Sequence, residues 1–172
     1  MALLAEHTVK ARPAHGLVEL YDADAYVDDS VAAEASREQV VAGNGYHLYL
    51  HSLQPDIKVD ITIRIWDQPQ APPKHSEGSI PVAIESTTAC LVINQLAAGP
   101  AGTMNLPRPG RYEGHAWWTG RNATRAYYDR SLTEYTEPES LKGAWQNNPT
   151  PERYCLDLHL PPGVLPDDED SA

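Results

Sequence analysis

Two pairs of an acidic residue and a histidine could form if the strand near residue 115 lies antiparallel to the strand near residue 157. One register places His115 opposite Asp157 and Glu113 opposite His159. A carboxylate that orients an imidazole can take part in general acid–base catalysis, but it is also an ordinary cross-strand pair. Because no serine, cysteine or set of metal ligands accompanies these pairs, the sequence favours the structural interpretation. We therefore assign no catalytic residue.

The motifs of the chain do not indicate metal or cofactor chemistry. His47 and His51 lie four residues apart, which on a strand separates them by about 13 Å, too far to bind one ion. The sequence contains no glycine-rich phosphate loop, no nucleophile elbow and no paired-cysteine zinc motif. The sequence therefore predicts no metal site, no cofactor and no enzymatic activity.

Trp66 and Trp117 are candidates for contact with a partner. Each lies on the polar face of an alternating segment, and an exposed tryptophan on a sheet surface is a frequent anchor of protein interfaces. A second group of candidates is acidic and lies in one short segment: Asp22, Asp24, Asp28 and Asp29. We predict that these two tryptophans and four aspartates form the partner-binding residues.

The charge of the chain restricts the class of partner. The formal net charge is −11 at pH 7, and the acidic run at residues 167–170 contributes strongly to it. An acidic surface repels phosphate backbones and attracts basic proteins. We therefore expect a basic protein partner and no direct binding of nucleic acid. The alternative is that the acidity only aids solubility.

The elements that position these residues are mainly strands. Residues 56–66 alternate strictly: one face carries Ile57, Val59, Ile61, Ile63 and Ile65, and the other carries Lys58, Asp60, Thr62, Arg64 and Trp66. Similar alternation occurs in residues 15–22, 45–53, 79–86, 89–96, 111–118 and 153–160. Turn-like segments separate these runs, so the sequence predicts a mainly β fold, an antiparallel β-sandwich of about seven strands.

One helical insertion is predicted before the last strand. Asn122 is the N-cap candidate, and an apolar or aromatic stripe then recurs at helical spacing: Thr124, Tyr128, Leu132 and Tyr135. A second short helical piece is predicted to begin at Pro138. Residues 30–43 combine helix and strand signals, so the sequence leaves their assignment open.

The predicted boundaries give one domain with two appendages. Residues 13–162 form the sandwich domain, residues 1–12 an N-terminal extension, and residues 163–172 an acidic disordered tail. Two cysteines are too few for a disulfide framework and are expected to be free thiols. The chain has no apolar run of membrane-spanning length, and "MALLAEHTVK" does not read as a signal peptide. We therefore expect a cytoplasmic protein that does not bind a membrane.

The order of these elements resembles the competence protein J family. The runs that carry the resemblance are "HGLVELYD", "VDITIRIWD", "IPVAIES" with "LVINQL", "LPRPGRYEGHAWWTGR" and "ERYCLDLHLP". They extend over residues 13–162. Members of this family include the inhibitor of a DNA-entry nuclease in competent bacilli. The resemblance implies a β-sandwich that acts by binding protein, and it transfers no catalytic residue.

Three functional hypotheses follow. The first is a non-enzymatic protein-binding module, such as an inhibitor or immunity-type partner of a basic protein like a nuclease. The alternative is a β-sandwich that binds a small molecule or carbohydrate through exposed aromatic side chains. The third is an enzyme built on His115 and Asp157. The incomplete catalytic set, the acidity and the resemblance together favour the first hypothesis.

Overall fold

The computed structural model describes residues 2–161, which contain ten strands and three α-helices. The strands are β1 (Leu3–Ala11), β2 (Leu17–Asp22), β3 (Val41–Gly43), β4 (His47–His51), β5 (Val59–Trp66), β6 (Gly78–Ser86), β7 (Cys90–Asn94), β8 (Pro100–Asn105), β9 (Gly110–Thr119) and β10 (Arg153–His159). The helices are α1 (Ser30–Gln39), α2 (Arg121–Glu134) and α3 (Pro138–Gln146). No helix within this part of the chain is both long and apolar enough to cross a membrane.

The strands form two five-stranded sheets. The first sheet has the order β1-β5-β10-β9-β6, and the second has the order β3-β4-β2-β7-β8. Neighbouring strands are antiparallel except for β5 and β10, which are parallel. After α2 and α3 the chain returns as β10 between β9 and the much earlier β5, antiparallel to β9 and parallel to β5.

The predicted mainly β fold is confirmed, but the number of about seven strands is wrong, and one pair of strands is parallel. Three strands were missed: β1 lies in the predicted N-terminal extension, β3 has only three residues, and β8 lies in a segment assigned to a loop. All three are edge strands, where one side of the backbone has no partner and a long buried apolar run is not required. The first sheet thus begins at Leu3, within the segment predicted to be an N-terminal extension. The predicted tail at residues 163–172 lies outside the described residues.

Both sheets contribute to one hydrophobic core. The alternation of β5 is confirmed, because Val59, Ile61, Ile63 and Ile65 are at most 2% exposed while the intervening side chains are half-buried. Leu156 and Leu158 of β10 extend this layer, and Leu20, Leu91 and Ile93 supply the opposing one from the second sheet. The polar faces of the sheets are consequently turned away from this core.

Local interactions determine where helices α1 and α2 begin. Asp29 caps α1 by accepting hydrogen bonds from the backbone nitrogens of Val31 and Ala32 at 3.0 and 3.1 Å. Helix α2 begins at Arg121 after Gly120, whose φ is 76°, so the predicted cap at Asn122 is wrong. A side chain at Gly120 would also collide with the backbone carbonyl of Pro151, so this turn requires glycine.

The predicted apolar stripe of α2 is only partly correct. Thr124 is buried and Tyr128 is half-buried, but Leu132 and Tyr135 are 47% and 39% exposed. The buried residue in that part of the helix is Ser131, which accepts a hydrogen bond from the indole of Trp145 on α3 at 3.0 Å. Helix α3 thus determines which face of α2 is covered, and helical spacing alone could not show it.

Candidate functional site

Asp157 lies at the centre of the polar face of the first sheet. It belongs to β10, the middle strand, and its side chain is almost inaccessible, with 5% exposure of the residue. Arg64 on β5 and His115 on β9 are its direct cross-strand neighbours. The predicted register, with His115 opposite Asp157 and Glu113 opposite His159, is confirmed.

Four hydrogen bonds from nitrogen donors converge on the Asp157 carboxylate. Oδ1 accepts from Arg64 Nε and Trp66 Nε1, both at 2.8 Å. Oδ2 accepts from Trp117 Nε1 at 2.8 Å and from the terminal nitrogen of Arg64 at 3.3 Å. Each tryptophan lies one same-face position further along its own strand, so both indoles reach the carboxylate diagonally. One buried carboxylate therefore fixes two tryptophans and an arginine.

The protonation state of Asp157 follows from this environment. Burial alone would raise its pKa, but the hydrogen bonds from Arg64, Trp117 and Trp66 outweigh burial and hold the pKa below its ordinary value. Each of these donors favours the ionised form of the carboxyl. Asp157 is consequently a carboxylate at neutral pH and acts as an acceptor only.

The cysteine beside this carboxylate is unreactive by the same physics. Cys155 is 5% exposed, and its sulfur accepts a hydrogen bond from Arg64 at 3.1 Å. Burial, together with the negative charge of Asp157, raises the pKa of the Cys155 thiol to about 12. A thiol with this pKa stays protonated near neutral pH and is a poor nucleophile.

The outward result is a fixed aromatic and cationic surface, here called the Trp–Arg platform and defined as Arg64, Trp66 and Trp117. Both tryptophans are half-buried, and the N–H edge of each indole points to Asp157. The Arg64 guanidinium also lies 5.9 Å from the centre of the Trp66 ring. His75, which is exposed, packs edge-on against Trp117 with ring centroids 5.3 Å apart.

The acid–histidine pairs are aligned in register but do not form catalytic pairs. Both oxygens of Asp157 are occupied by Arg64 and the two indoles, and none of the described hydrogen bonds joins Asp157 to His115. Glu113 is paired with Arg111, at 3.3 Å, rather than with His159. Among residues 2–161, no three His, Cys, Asp or Glu side chains come together as ligands for a metal ion.

The two predicted histidines of β4 also lie in different environments. His47 is fully buried and stacks on Tyr49 with centroids 4.5 Å apart, while Tyr26 packs edge-on against it. Its Nε2 lies 3.3 Å from Glu19 Oε1 but forms no hydrogen bond with a residue of the described part of the chain. His51 instead lies beside Gly16 at the other end of the strand.

The four predicted acidic residues do not form one surface patch. Asp22 is completely buried and accepts hydrogen bonds from the hydroxyls of Ser86 and Thr88, the latter at 2.7 Å. Burial would raise the pKa of Asp22, but the Ser86 and backbone hydrogen bonds lower it to about 2. Asp29 is used as the cap of α1.

Two acidic residues of this segment remain exposed. Asp24 and Asp28 are both solvent-accessible, and Asp28 accepts a hydrogen bond from the hydroxyl of Tyr49 at 3.0 Å. Sequence reasoning missed the roles of Asp22 and Asp157 because an acidic side chain next to a turn or on a polar strand face looks exposed. The only signal for Asp157 was its predicted position opposite His115 and near Trp117.

This architecture defines a class by fold: a mainly β chain whose described residues form two sheets and three helices. Two solved structures are similar to it. ComJ from Bacillus subtilis, an inhibitor of the DNA degrading activity of NucA, has a TM-score of 0.59 at 10% identity, over 93% of this chain and 98% of that chain. The protein named crocagin biosynthetic gene J has a TM-score of 0.52 at 16% identity, over 93% and 99%.

The similarity lies in the fold and not in recognisable sequence. No family model matches the chain, and no curated protein matches its sequence. The resemblance to the competence protein J family that the sequence indicated is confirmed at the level of the fold.

Proposed function

We propose that this chain is a non-enzymatic, cytoplasmic protein-binding module, built as a β-sandwich, and that it inhibits a basic protein such as a nuclease. The observation that carries the proposal is the hydrogen bonding of two tryptophans to one buried carboxylate. Trp66 and Trp117 both donate to Asp157 at 2.8 Å. Their rings are thereby held in one orientation before any partner arrives.

Pre-organisation of this kind lowers the entropic cost of binding a partner. Ordering a flexible side chain at an interface costs about 0.5–1.5 kcal/mol, and a ring that is already fixed avoids most of that cost. Tryptophan and arginine are also the residue types most enriched among interface hot spots. The Trp–Arg platform therefore has the composition and the rigidity of an interface anchor, and the carboxylate that holds it, Asp157, is buried and accepts hydrogen bonds on both oxygens.

The overall charge supports a basic partner. The chain carries a formal net charge of −11, which steers a positively charged protein toward it over distances of about one Debye length, about 8–10 Å in physiological salt. The similar fold of ComJ, a nuclease inhibitor, supports the same type of partner. Of the predicted acidic residues, Asp24 and Asp28 are the exposed ones that can contribute to this steering.

The test compares two variants in partner capture from a lysate of the native host. The platform variant carries both Trp66→Ala and Trp117→Ala. The control variant is Tyr46→Ala, which removes an exposed aromatic side chain directly before β4 of the second sheet. We expect the wild type and the control to capture the same basic protein in a stoichiometric complex. We expect the platform variant to dissociate at least about 30-fold faster, since a hot-spot truncation costs about 2 kcal/mol or more.

Other outcomes would overturn the proposal. If the platform variant captures the partner as well as the wild type does, the platform is not part of the interface. Turnover of a substrate that is lost in His115→Ala, with the fold intact, would support the enzyme hypothesis. Saturable binding of a sugar that is lost in the platform variant would support the carbohydrate-binding alternative. If the captured protein is a nuclease, its DNA cleavage should fall to zero at one equivalent of this chain.

A further inference from the structure

A cleft of about 560 Å³ lies where the beginning of β5 meets β1 and α3. It is lined near the start of β5 by Ile57, Lys58 and Asp60, while Trp66 of the platform lies at the other end of that strand. Trp66 is six positions after Asp60, which corresponds to about 20 Å along a strand. The cleft is therefore a separate site from the Trp–Arg platform.

The cleft is basic although the chain is acidic. The chain has four lysines, at positions 10, 58, 74 and 142, and three of them line this one cleft. Its charged lining is Lys10, Arg12, Lys58 and Lys142 against Asp56 and Asp60, so cations outnumber carboxylates by two. In a chain with a net charge of −11 this concentration of cations is a local reversal of sign, and a concave positive surface attracts anions.

Two of the four cations are already paired within the wall of the cleft. Lys10 Nζ lies 2.9 Å from Asp60 Oδ1, and Arg12 lies 2.9 Å from Asp56 Oδ1. These pairs neutralise both carboxylates of the lining. The negative charges of the cleft are consequently not available to repel an incoming anion.

The other two cations are unpaired in the part of the chain that the structure describes. Neither Lys58 nor Lys142 forms a salt bridge or a side-chain hydrogen bond with any residue between 2 and 161. Both are exposed, so each ammonium group is hydrated and can exchange its water for a ligand oxygen. Two unpaired lysines match the charge of a dianionic group better than that of a single carboxylate.

One wall of the cleft is a fixed aromatic ring. Trp145 stacks on Tyr128 with centroids 5.7 Å apart, and its indole N–H donates to Ser131 Oγ at 3.0 Å. Tyr128 in turn donates its hydroxyl to Asp56 Oδ2 at 2.7 Å. Ile57 adds an apolar side chain to the same lining. The wall is thus held by hydrogen bonds that a ligand does not need to form or break.

We propose that this cleft binds a small aromatic phosphate monoester, with the phosphate at Lys58 and Lys142 and the planar group against Trp145. The volume falls in the range of about 300–1,000 Å³ that is typical of small-molecule sites, which favours a small ligand over a macromolecule. The lining combines apolar surface from Ile57, Trp145 and Pro151 with six charged side chains, and a ligand that carries both a planar ring and an anionic group matches both parts. This inference is independent of the proposed function and concerns a different part of the molecule.

The test follows the indole N–H signal of Trp145 by NMR while adenosine 5′-monophosphate is added to the full chain. The chain has four tryptophans, and Trp145→Phe identifies the signal. We expect a saturable shift with adenosine monophosphate, and at least fivefold weaker binding with either adenosine or inorganic phosphate alone. We expect Lys58→Ala with Lys142→Ala to weaken binding at least tenfold. The matched control Lys74→Ala, which removes the one lysine outside the cleft, should leave binding unchanged.

Three results would overturn this inference. The first is the absence of a saturable shift of the Trp145 signal up to millimolar adenosine monophosphate. The second is equal weakening by Lys74→Ala, because binding would then depend on overall charge and not on the cleft. The third is displacement by an acidic peptide at lower concentration than the nucleotide, which would make the cleft a peptide site. Circular dichroism of each variant shows whether it is folded, which we expect because all three lysines are exposed.

Discussion

Replacing Asp157 with asparagine tests whether one carboxylate holds the Trp–Arg platform together. The substitution preserves the shape of the side chain but exchanges one acceptor oxygen for an NH₂ donor and removes the charge. Whichever way the amide turns, its NH₂ group faces either Trp66 Nε1 or Trp117 Nε1, both of which are donors. At least one buried hydrogen bond is therefore lost, and Arg64 loses its charged partner.

The magnitude follows from the contacts that are lost. A hydrogen bond to a charged group contributes about 1.5–3 kcal/mol, and a buried arginine without a counterion would add several kcal/mol. The Arg64 side chain is 29% exposed, so water can solvate it and that second contribution is small. We expect Asp157→Asn to reduce the free energy of unfolding by about 2–4 kcal/mol. At roughly 2–4 °C per kcal/mol for a domain of this size, Tm falls by about 4–16 °C.

The pH dependence of this difference provides an independent measurement. The pKa of Asp157 is lower in the folded state than its ordinary value of 3.8. A group of this kind contributes its full stabilisation above the unfolded pKa, and the contribution is lost as pH falls through the folded pKa. The difference between wild type and Asp157→Asn should therefore be constant near neutral pH and should shrink below about pH 4.

The assay is urea denaturation followed by far-ultraviolet circular dichroism, because the substitution changes the surroundings of two tryptophans and would distort a fluorescence signal. The control is Asp129→Asn, which breaks the exposed pair with Arg125 on α2 at 3.1 Å. That variant should change the free energy of unfolding by less than about 0.5 kcal/mol. If Asp157→Asn is as stable as this control at pH 7, the carboxylate does not hold the platform and the reasoning is refuted.

Three further predictions concern the scaffold. Ile63→Ala, at a fully buried core position, should reduce the free energy of unfolding by about 2–5 kcal/mol, measured by urea denaturation. Thr62→Ala, on the opposite face of β5, should reduce it by less than about 1 kcal/mol. Equal reductions in the two variants would contradict the assigned faces. Asp22→Asn should lower the free energy of unfolding at pH 7. The difference in this free energy between wild type and variant should vanish as pH falls from 3.8 toward 2, because the pKa of Asp22 in the folded state is about 2. A difference that does not change with pH would show that the charge of Asp22 is not its cause. Gly114→Ala should prevent folding or lower Tm sharply, because a side chain there would collide with a backbone carbonyl of β10. Gly143→Ala, at a position with open space around it, should leave Tm unchanged or raise it slightly.

The sequence by itself determined the parts of the fold that depend on local periodicity. Strict alternation in β5 assigned its buried and polar faces correctly, because side chains alternate on a strand whatever its neighbours are. If β9 and β10 were assumed to pair, one possible register placed His115 opposite Asp157, and the structure has that register. The edge strands β1, β3 and β8 were not found, since an edge strand needs only a short or half-exposed pattern.

The tertiary structure alone decided which polar residues meet. Arg64 and Trp66 reach Asp157 because β10 lies parallel to β5, a pairing between segments more than 90 residues apart that no local pattern encodes. Three of the four lysines gather at one cleft because the beginning of β5, the edge strand β1 and helix α3 converge there. Periodicity fixes the face on which a side chain lies, but the neighbours on that face depend on long-range strand pairing. That pairing is selected by burial of the whole core and not by any one segment.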